Sequence, residues 1–416
     1  MEKKNIILRT IVSFILIIAI SFAQLPASVQ AEEVKLNLYA KAAVLMDADT
    51  GRVLYDRCGN EQLPMASTTK IMTLIVTLEN ANLEDTVTVS SYAASMPKVH
   101  LGMRTGEQYQ LRDLVLSLML ESHNDSAVAI AEHVGGSVEQ FAALMNKKAE
   151  EIGCKNTYYI TPNGLDAAQG EKIHSTTARD LALVMSYCIT KSPQKEMFLE
   201  ITRTPNHSFT DLSKKRSFSC INHNAFLNMM TGALTGKTGY TSKAGYCYVG
   251  ALRQDDKTFV VALLACGWPN HKTYKWSDTR VLMEYGLGNY QYRGFKEVPI
   301  PEQTLENIAV SNAQKAGIGE KIDLEVEAAG SFDEGGLLMR EDEKVTVVLH
   351  KVKTLTAPVE KGKEIGHISY MVGNREWKRI NLITAEEIEA IDFEWCIRQV
   401  FHKWTINDEN SLDFCI

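Results

Sequence analysis

The 416-residue sequence lacks the usual marks of a cofactor-dependent enzyme. It has no His-Glu-x-x-His and no Cys/His cluster of the kind that holds zinc. No Gly-x-x-x-x-Gly-Lys-[Ser/Thr] run offers a cradle for nucleotide phosphates. No Cys-x-x-Cys occurs, and the eight cysteines (58, 154, 188, 220, 247, 266, 396 and 415) show no spacing framework. In a chain long enough to bury a sizeable core they read as mostly small buried hydrophobes. A basic excess is also missing: 44 basic against 51 acidic residues leave −7, which argues against nucleic acid as the main partner. There is no internal repeat and no low-complexity tract.

Nor does any apolar run reach the roughly 20 residues of a comfortable membrane span. The nearest, Ile11 to Ala23, follows Lys3, Lys4 and Arg9 and precedes the small residues Val29-Gln30-Ala31. This is the pattern of a secretory signal peptide over residues 1–31. Its removal takes away Lys3, Lys4, Arg9 and Glu2, moves the net charge from −7 to −9, and places the protein outside the cytoplasm.

Beyond it, Ala42–Met46 and Arg52–Tyr55 read as a hairpin about the turn Asp47–Gly51. Helical patterns follow at Ile71–Leu78, Leu111–Leu120, Ser126–His133 and Thr176–Cys188. Tyr158–Lys172 reads as a long surface loop. Thr238–Tyr240 stands at the start of strand material running on to Leu252, and Phe259–Ala265 is a further strand. Strands at both ends with helices between predict an α+β domain over 32–290, its terminal strands sharing one antiparallel sheet. Ser277–Tyr285 would be the helix that closes it. Short strands at Ile308, Ile322, Val345, Ile365 and Ile380 predict an all-β domain over 291–384. Residues 385–416 form a helical tail in which Phe393, Ile397, Val400, Phe401 and Trp404 recur on one face. That stripe suits a helix lying in a membrane surface, or one packed on the β domain.

The chemistry gathers around Pro64-Met-Ala-Ser-Thr-Thr-Lys70. Ser67 falls at a helix start, and Lys70 lies one turn on along the same face. A serine that must lose a proton beside an amine that can take it is a nucleophile–base pair. Alone the pair could be an N-cap and a solvated lysine, and Ser-x-x-Lys recurs at Ser95–Lys98 and Ser192–Lys195. Two further triplets change its weight. Ser122-His123-Asn124 lies 55 residues after Ser67, and Lys237-Thr238-Gly239 lies 115 residues after Ser122. The first heads a helix, the second lies between helices and the third is on a strand, the order of the β-lactamase and penicillin-binding trio.

At these residues the chain resembles the low-molecular-mass penicillin-binding proteins, serine-type D-alanyl-D-alanine carboxypeptidases of peptidase family S11. The resemblance runs from about Ala42 to Trp404 and takes in Thr161-Pro-Asn-Gly-Leu-Asp166, His174-Ser-Thr-Thr-Ala-Arg-Asp180, Ala244-Gly-Tyr-Cys247 and Leu355-Thr-Ala-Pro-Val-Glu-Lys-Gly362. It implies a β-lactamase/transpeptidase-like α+β domain, a small all-β domain and a C-terminal amphipathic anchor. Ser67 would attack the penultimate D-Ala carbonyl, Lys70 would take its proton, and Ser122 would pass a proton to the leaving nitrogen. Asn124 would hold Lys70 and the peptide. Lys237, Thr238 and Gly239 would bind the terminal carboxylate region, and Ser67 and Tyr240 N–H groups would form the oxyanion hole. His123, at a position often Gly or Ala in such enzymes, is not assigned a catalytic role. The implied partners are peptidoglycan stem peptides, β-lactams as covalent inhibitors and the outer face of the cytoplasmic membrane. No metal or organic cofactor is implied.

Two rivals remain on sequence grounds. A class A-type β-lactamase would need a Glu-x-x-x-Asn loop, and none lies between Cys154 and Glu171. A non-catalytic penicillin-binding or wall-sensing protein would have no need of the intact trio.

Overall fold

A computed structural model describes residues 34–409, so the signal peptide expected over residues 1–31 lies outside the described residues. The chain forms two compact units. One comprises Val34–Arg293 with Leu337–Arg340, and the described part of the other runs from Gly294 to Gly336 and onward from Glu341.

The first unit is built on five antiparallel strands: β1 (Ala42–Asp47), β2 (Val53–Arg57), β3 (Ala233–Thr241), β4 (Gly245–Gln254) and β5 (Lys257–Leu264). Their order is β2-β1-β5-β4-β3, which joins the ends of the unit in one sheet as expected and leaves β3 on an edge. β5 is central and buried along its whole length, because both sheet faces are covered. Val260, Ala262 and Leu264 face one core, and Phe259, Val261 and Leu263 face the other. The first core is filled by α1 (Lys70–Asn80), α2 (Leu111–Leu120), α3 (Asn124–Gly135), α4 (Val138–Ile152), α5 (Ala178–Thr190) and α6 (Lys195–Arg203). The second is closed by α7 (Tyr274–Asn289), whose Leu282 and Met283 pack with Leu45, Tyr248 and Leu338. The Asp278 carboxylate accepts the N–H groups of Tyr39 and Ala40 at 2.9 and 2.8 Å, tying the start of the unit to α7.

Two local expectations change. Thr238–Tyr240 lies in the second half of β3, whose start at Ala233 is masked by Gly236 and the polar Thr235. The loop after Tyr158 is not a surface loop at its heart: Pro162, Asn163 and Gly164 are buried. Among the described residues all seven cysteines are free thiols, with Cys188, Cys220, Cys247 and Cys266 buried.

The second unit is a β module. β6 (Ile308–Ser311), β7 (Lys321–Leu324) and β10 (Thr354–Thr356) make one small sheet in the order β7-β6-β10. β8 (Val326–Ala328), β9 (Val345–Lys351), β11 (Glu364–Val372) and β12 (Arg375–Thr384) make another in the order β8-β12-β11-β9. Ile308, Val310, Leu324, Ile365 and Leu382 form its core, which Ile388 joins. The tail is therefore not helical from Ala385: residues 385–391 stay on the module through the Val359–Ile388 and Ala313–Ala390 bridges. The helix α8 spans Phe393–Glu409. The expected stripe lies on it and is exposed, with Phe393 at 81%, Val400 at 68% and Trp404 at 70%.

Candidate active site

Ser67 stands in a single 3-10 turn, Ala66–Thr69, that feeds directly into α1. In such a first turn the backbone N–H groups have no partner within the helix. Ser67 is not an N-cap: its Oγ accepts a hydrogen bond from Lys70 Nζ at 3.0 Å. Lys70 is fully buried, and its amine also donates to Asn124 Oδ1 at 3.0 Å and to the Asn163 carbonyl at 2.6 Å. All three acceptors are neutral. Among the described residues no carboxylate hydrogen-bonds Ser67 or Lys70. Burial, and after it the Lys237 charge, holds the Lys70 amine well below the ordinary lysine range. The other two Ser-x-x-Lys sequences do nothing comparable: Ser95 Oγ donates to Tyr92 O and Ser192 Oγ to Glu79.

Ser122 and Asn124 come from the sharp corner between α2 and α3. Ser122 takes a left-handed backbone, φ +66°, which costs a residue with a Cβ about 1–2 kcal/mol. Asn124 opens α3, its N–H donating to Val99 O at 2.8 Å and its Nδ2 to Pro97 O at 3.1 Å, which aims Oδ1 at Lys70. The next residue, Asp125, is buried and spends its carboxylate on the N–H groups of Leu101, Gly102 and Met103, pinning the same segment. His123 turns the other way, with Nδ1 2.8 Å from Ser117 Oγ inside the helical layer. The middle residue of the triplet thus lies outside the Ser67–Lys70–Asn124 group of hydrogen bonds.

Lys237, Thr238, Gly239 and Tyr240 line up on edge strand β3. Lys237 Nζ donates to Ser122 Oγ at 3.0 Å and to its neighbour's carbonyl, Thr238 O, at 3.0 Å. Burial pulls its amine down to about 7. Gly239 is needed because a Cβ there would lie 2.8 Å from the Ser67 nitrogen. The direction of the Tyr240 backbone follows from register. Tyr246, its partner on β4, gives its N–H to Gly267 O and its carbonyl accepts from Cys266 N, both on the far side from β3. Tyr240–Tyr246 is therefore a non-hydrogen-bonded pair, and the Tyr240 N–H points off the free edge.

The structure brings together every expected site residue and adds some that sequence reasoning left as motif letters. Asn163 supplies the carbonyl under Lys70, and its Oδ1 accepts from Leu165 N at 3.0 Å. Gly164, φ +84°, crosses so close that a Cβ would lie 2.0 Å from Ala66 O. His174 is buried with Nδ1 accepting from Ile160 N at 2.9 Å, so Nε2 carries the proton and faces Thr69 Oγ1 at 2.9 Å. Burial holds this imidazole at about 4, hence neutral. The Pro-Asn-Gly turn signal was legible; its burial was not. A cavity of about 100 Å³ adjoins Ser122, Lys237 and Thr238. Among the described residues no group of three or more His, Cys, Asp or Glu could hold a metal ion.

A family model described as D-alanyl-D-alanine carboxypeptidase, peptidase S11, matches residues 27–265. A second, described as the C-terminal domain of penicillin-binding protein 5, matches residues 338–390. The chain is 27% identical over 374 residues to D-alanyl-D-alanine carboxypeptidase DacF of Bacillus subtilis, covering 88% of this chain and 90% of that one. It is 31% identical over 253 residues to D-alanyl-D-alanine carboxypeptidase DacB2 of Mycobacterium tuberculosis, covering 60% and 82%. Among solved structures, penicillin-binding protein 5 of Haemophilus influenzae shares the fold with a TM-score of 0.66 at 23% identity, over 86% of this chain and 99% of that one. By fold, motif order and these matches, the chain belongs to the S11 family of D-alanyl-D-alanine carboxypeptidases.

Proposed function

We propose that the protein is a serine-type carboxypeptidase that removes the terminal D-alanine from peptidoglycan stem peptides and is acylated by β-lactams at the same serine. The observation that carries this is a fully buried lysine amine, 3.0 Å from Ser67 Oγ, whose hydrogen-bond acceptors are all neutral and which burial holds well below the ordinary lysine range. A neutral Lys70 takes the Ser67 proton as Oγ attacks the penultimate D-Ala carbonyl. The oxyanion settles between the N–H groups of Ser67 and Tyr240, each such donor being worth about 2.7–4 kcal/mol. The proton passes from Lys70 through the Ser122 hydroxyl to the leaving nitrogen, and the bond to D-Ala breaks. Lys70, neutral again, draws a proton from the water that attacks the acyl carbonyl and returns it to Ser67 Oγ as the acyl bond breaks. Asn124 orients Lys70. Lys237 and Thr238 present an ammonium and a hydroxyl to the terminal carboxylate, which selects a chain end over an internal bond. Gly239 lets the strand that carries them approach Ser67.

The loop that presents the Asn163 carbonyl to Lys70 carries no Glu-x-x-x-Asn between Cys154 and Glu171 of the kind a class A lactamase needs to activate water. Penicillin's leaving group stays tethered to the acyl-enzyme and obstructs water, so its release is slow. Export and peripheral attachment to the outer face of the cytoplasmic membrane are part of the same reading. They rest on the residue 1–31 pattern and on exposed aromatic residues along α8. Among the described residues no helix is long and apolar enough to cross a membrane. The test is incubation with a diacetyl-Lys-D-Ala-D-Ala peptide and an assay for free D-Ala. Continuous release is expected. Penicillin attachment without any D-Ala release would leave a binding protein without peptidase activity.

A further inference from the structure

One buried polar group of the α+β unit has no use in the steps above. Asn224 is 7% exposed, and among the described residues its amide Nδ2 has no hydrogen-bond partner. Leaving a buried donor unmade normally destabilises a fold, so such groups are few and call for an explanation. The rest of the residue is held firmly. Its N–H donates to Asn222 Oδ1 at 2.9 Å, and its Oδ1 accepts from the Tyr248 hydroxyl at 3.1 Å. That hydroxyl reaches Asn224 beneath β3, passing where a Cβ on Gly236 would lie 2.2 Å away. The fixed Oδ1 leaves Nδ2 as the free end of a preorganised amide.

Asn224 lines the cavity of about 100 Å³ that Ser122, Lys237 and Thr238 also line. At about 30 Å³ per water, the space suits a few waters or one small polar group. Glu121 and His223 also line it, joined by a 2.8 Å contact from Nε2 to Oε2, while Glu121 Oε1 accepts Ile221 N–H at 2.8 Å. The only carboxylate among these lining residues is thereby engaged elsewhere, and the lining residues include the Lys237 amine, the Ser122 and Thr238 hydroxyls and the buried, unpartnered Asn224 amide. Such a wall suits an anion with more than one acceptor oxygen.

We propose that Asn224 is a specificity-determining residue whose Nδ2 donates to the carboxylate of the substrate's C-terminal residue, alongside Lys237 and Thr238. This deepens the carboxypeptidase reading and rests on it. Lys237 supplies charge without direction. The Asn224 amide, clamped by Tyr248, supplies direction and fixes which oxygen of the chain end faces the cleft.

The test measures Ser67 acylation by two pairs of probes in the full chain. One pair is a D-Ala-D-Ala peptide and its C-terminal carboxamide; the other is penicillin and its methyl ester. Asn224→Ala should lower kcat/KM for the free acid about 10- to 100-fold and for the carboxamide less than threefold. Asn224→Asp, which sets a negative charge against the substrate's own, should cost the acids more than Asn224→Ala does. Tyr248→Phe, which unclamps the amide but keeps it, should show a smaller loss with the same preference. Circular dichroism and a melting curve accompany each variant. Equal losses on acid and neutral probes, or no loss, would overturn the proposal. If the wild type acylates with penicillin but releases no D-Ala, the peptidase reading fails, and the penicillin pair still decides the role of Asn224.

Discussion

Lysines are used differently in the two units. In the β module, Lys351 is half-buried and its amine donates to the carbonyls of Gln303, Thr304 and Glu306, and Lys378 ends on the carbonyls of Phe332 and Glu334. These amines close off chain segments and stay at the edge of water. In the α+β unit, Lys70 and Lys237 are buried and each ends on a serine hydroxyl, Ser67 or Ser122. Burial lowers all four amines, but it takes the fully buried Lys70 well below the ordinary lysine range and Lys237 down to about 7. A half-buried lysine that ties only carbonyls serves the fold as a donor. A lysine driven toward neutrality beside a hydroxyl can exchange protons, and it burdens the fold in doing so.

The sharpest break in that comparison is Lys70→Met against Lys351→Met. Loss of the amine at 70 should lower D-Ala release and penicillin acylation by about 10³-fold or more, within the range for removing a proton-transfer group. Lys351→Met should leave kcat/KM within about twofold and cost about 1 kcal/mol in a urea titration, as three carbonyls lose a donor.

Lys237 gives the next largest effect and a pH signature. Its amine sits at about 7 in the folded chain and near 10.4 when unfolded, so the unfolded state binds more protons between those values. This lysine therefore weakens the fold below pH 7 relative to pH 10, and stability should rise with pH across the interval. Lys237→Met should flatten that part of the slope and lower kcat/KM for acid substrates by about 10²-fold. In the wild type, kcat/KM should decline above pH 7, because it reports the free enzyme, in which Lys237 loses its proton there.

Ser122→Gly should show opposite signs in two assays. The left-handed φ of +66° suits glycine, so the variant should gain up to about 1 kcal/mol in stability while turnover falls at least about 10²-fold. The smallest catalytic effect belongs to the tail. A chain ending at Asp392 keeps Ile388 in the module core, should retain activity within about twofold and should no longer sediment with membranes. If it still sediments, α8 is not the attachment.

Much of this is legible in the sequence. Hydrophobic period gave α2 to the residue, Leu111–Leu120, and the β5 run Phe259–Leu264 read as a strand because burial on both faces makes it continuously apolar. The three motifs gave Ser67, Lys70, Ser122, Asn124 and the Lys237–Tyr240 strand, because their chemistry needs those residue types in that order. What stayed hidden depends on contacts between distant segments. Asn163 looks like a turn residue until its carbonyl is seen under Lys70, 93 residues away. Asn224 has no local signal, since its significance is a missing partner. The start of the tail helix is not legible, because residues 385–391 carry a helical composition while their backbone pairs with the module.

The central claim is that Ser67 forms an acyl-enzyme that peptide leaves quickly and penicillin leaves slowly. Mass spectrometry of the intact chain during turnover tests it most directly. With D-Ala-D-Ala peptide, free D-Ala should accumulate continuously. With penicillin, about one equivalent should attach to Ser67 and persist, and Ser67→Ala should take up none. Attachment at another serine, or penicillin hydrolysis as fast as peptide turnover, would contradict the account.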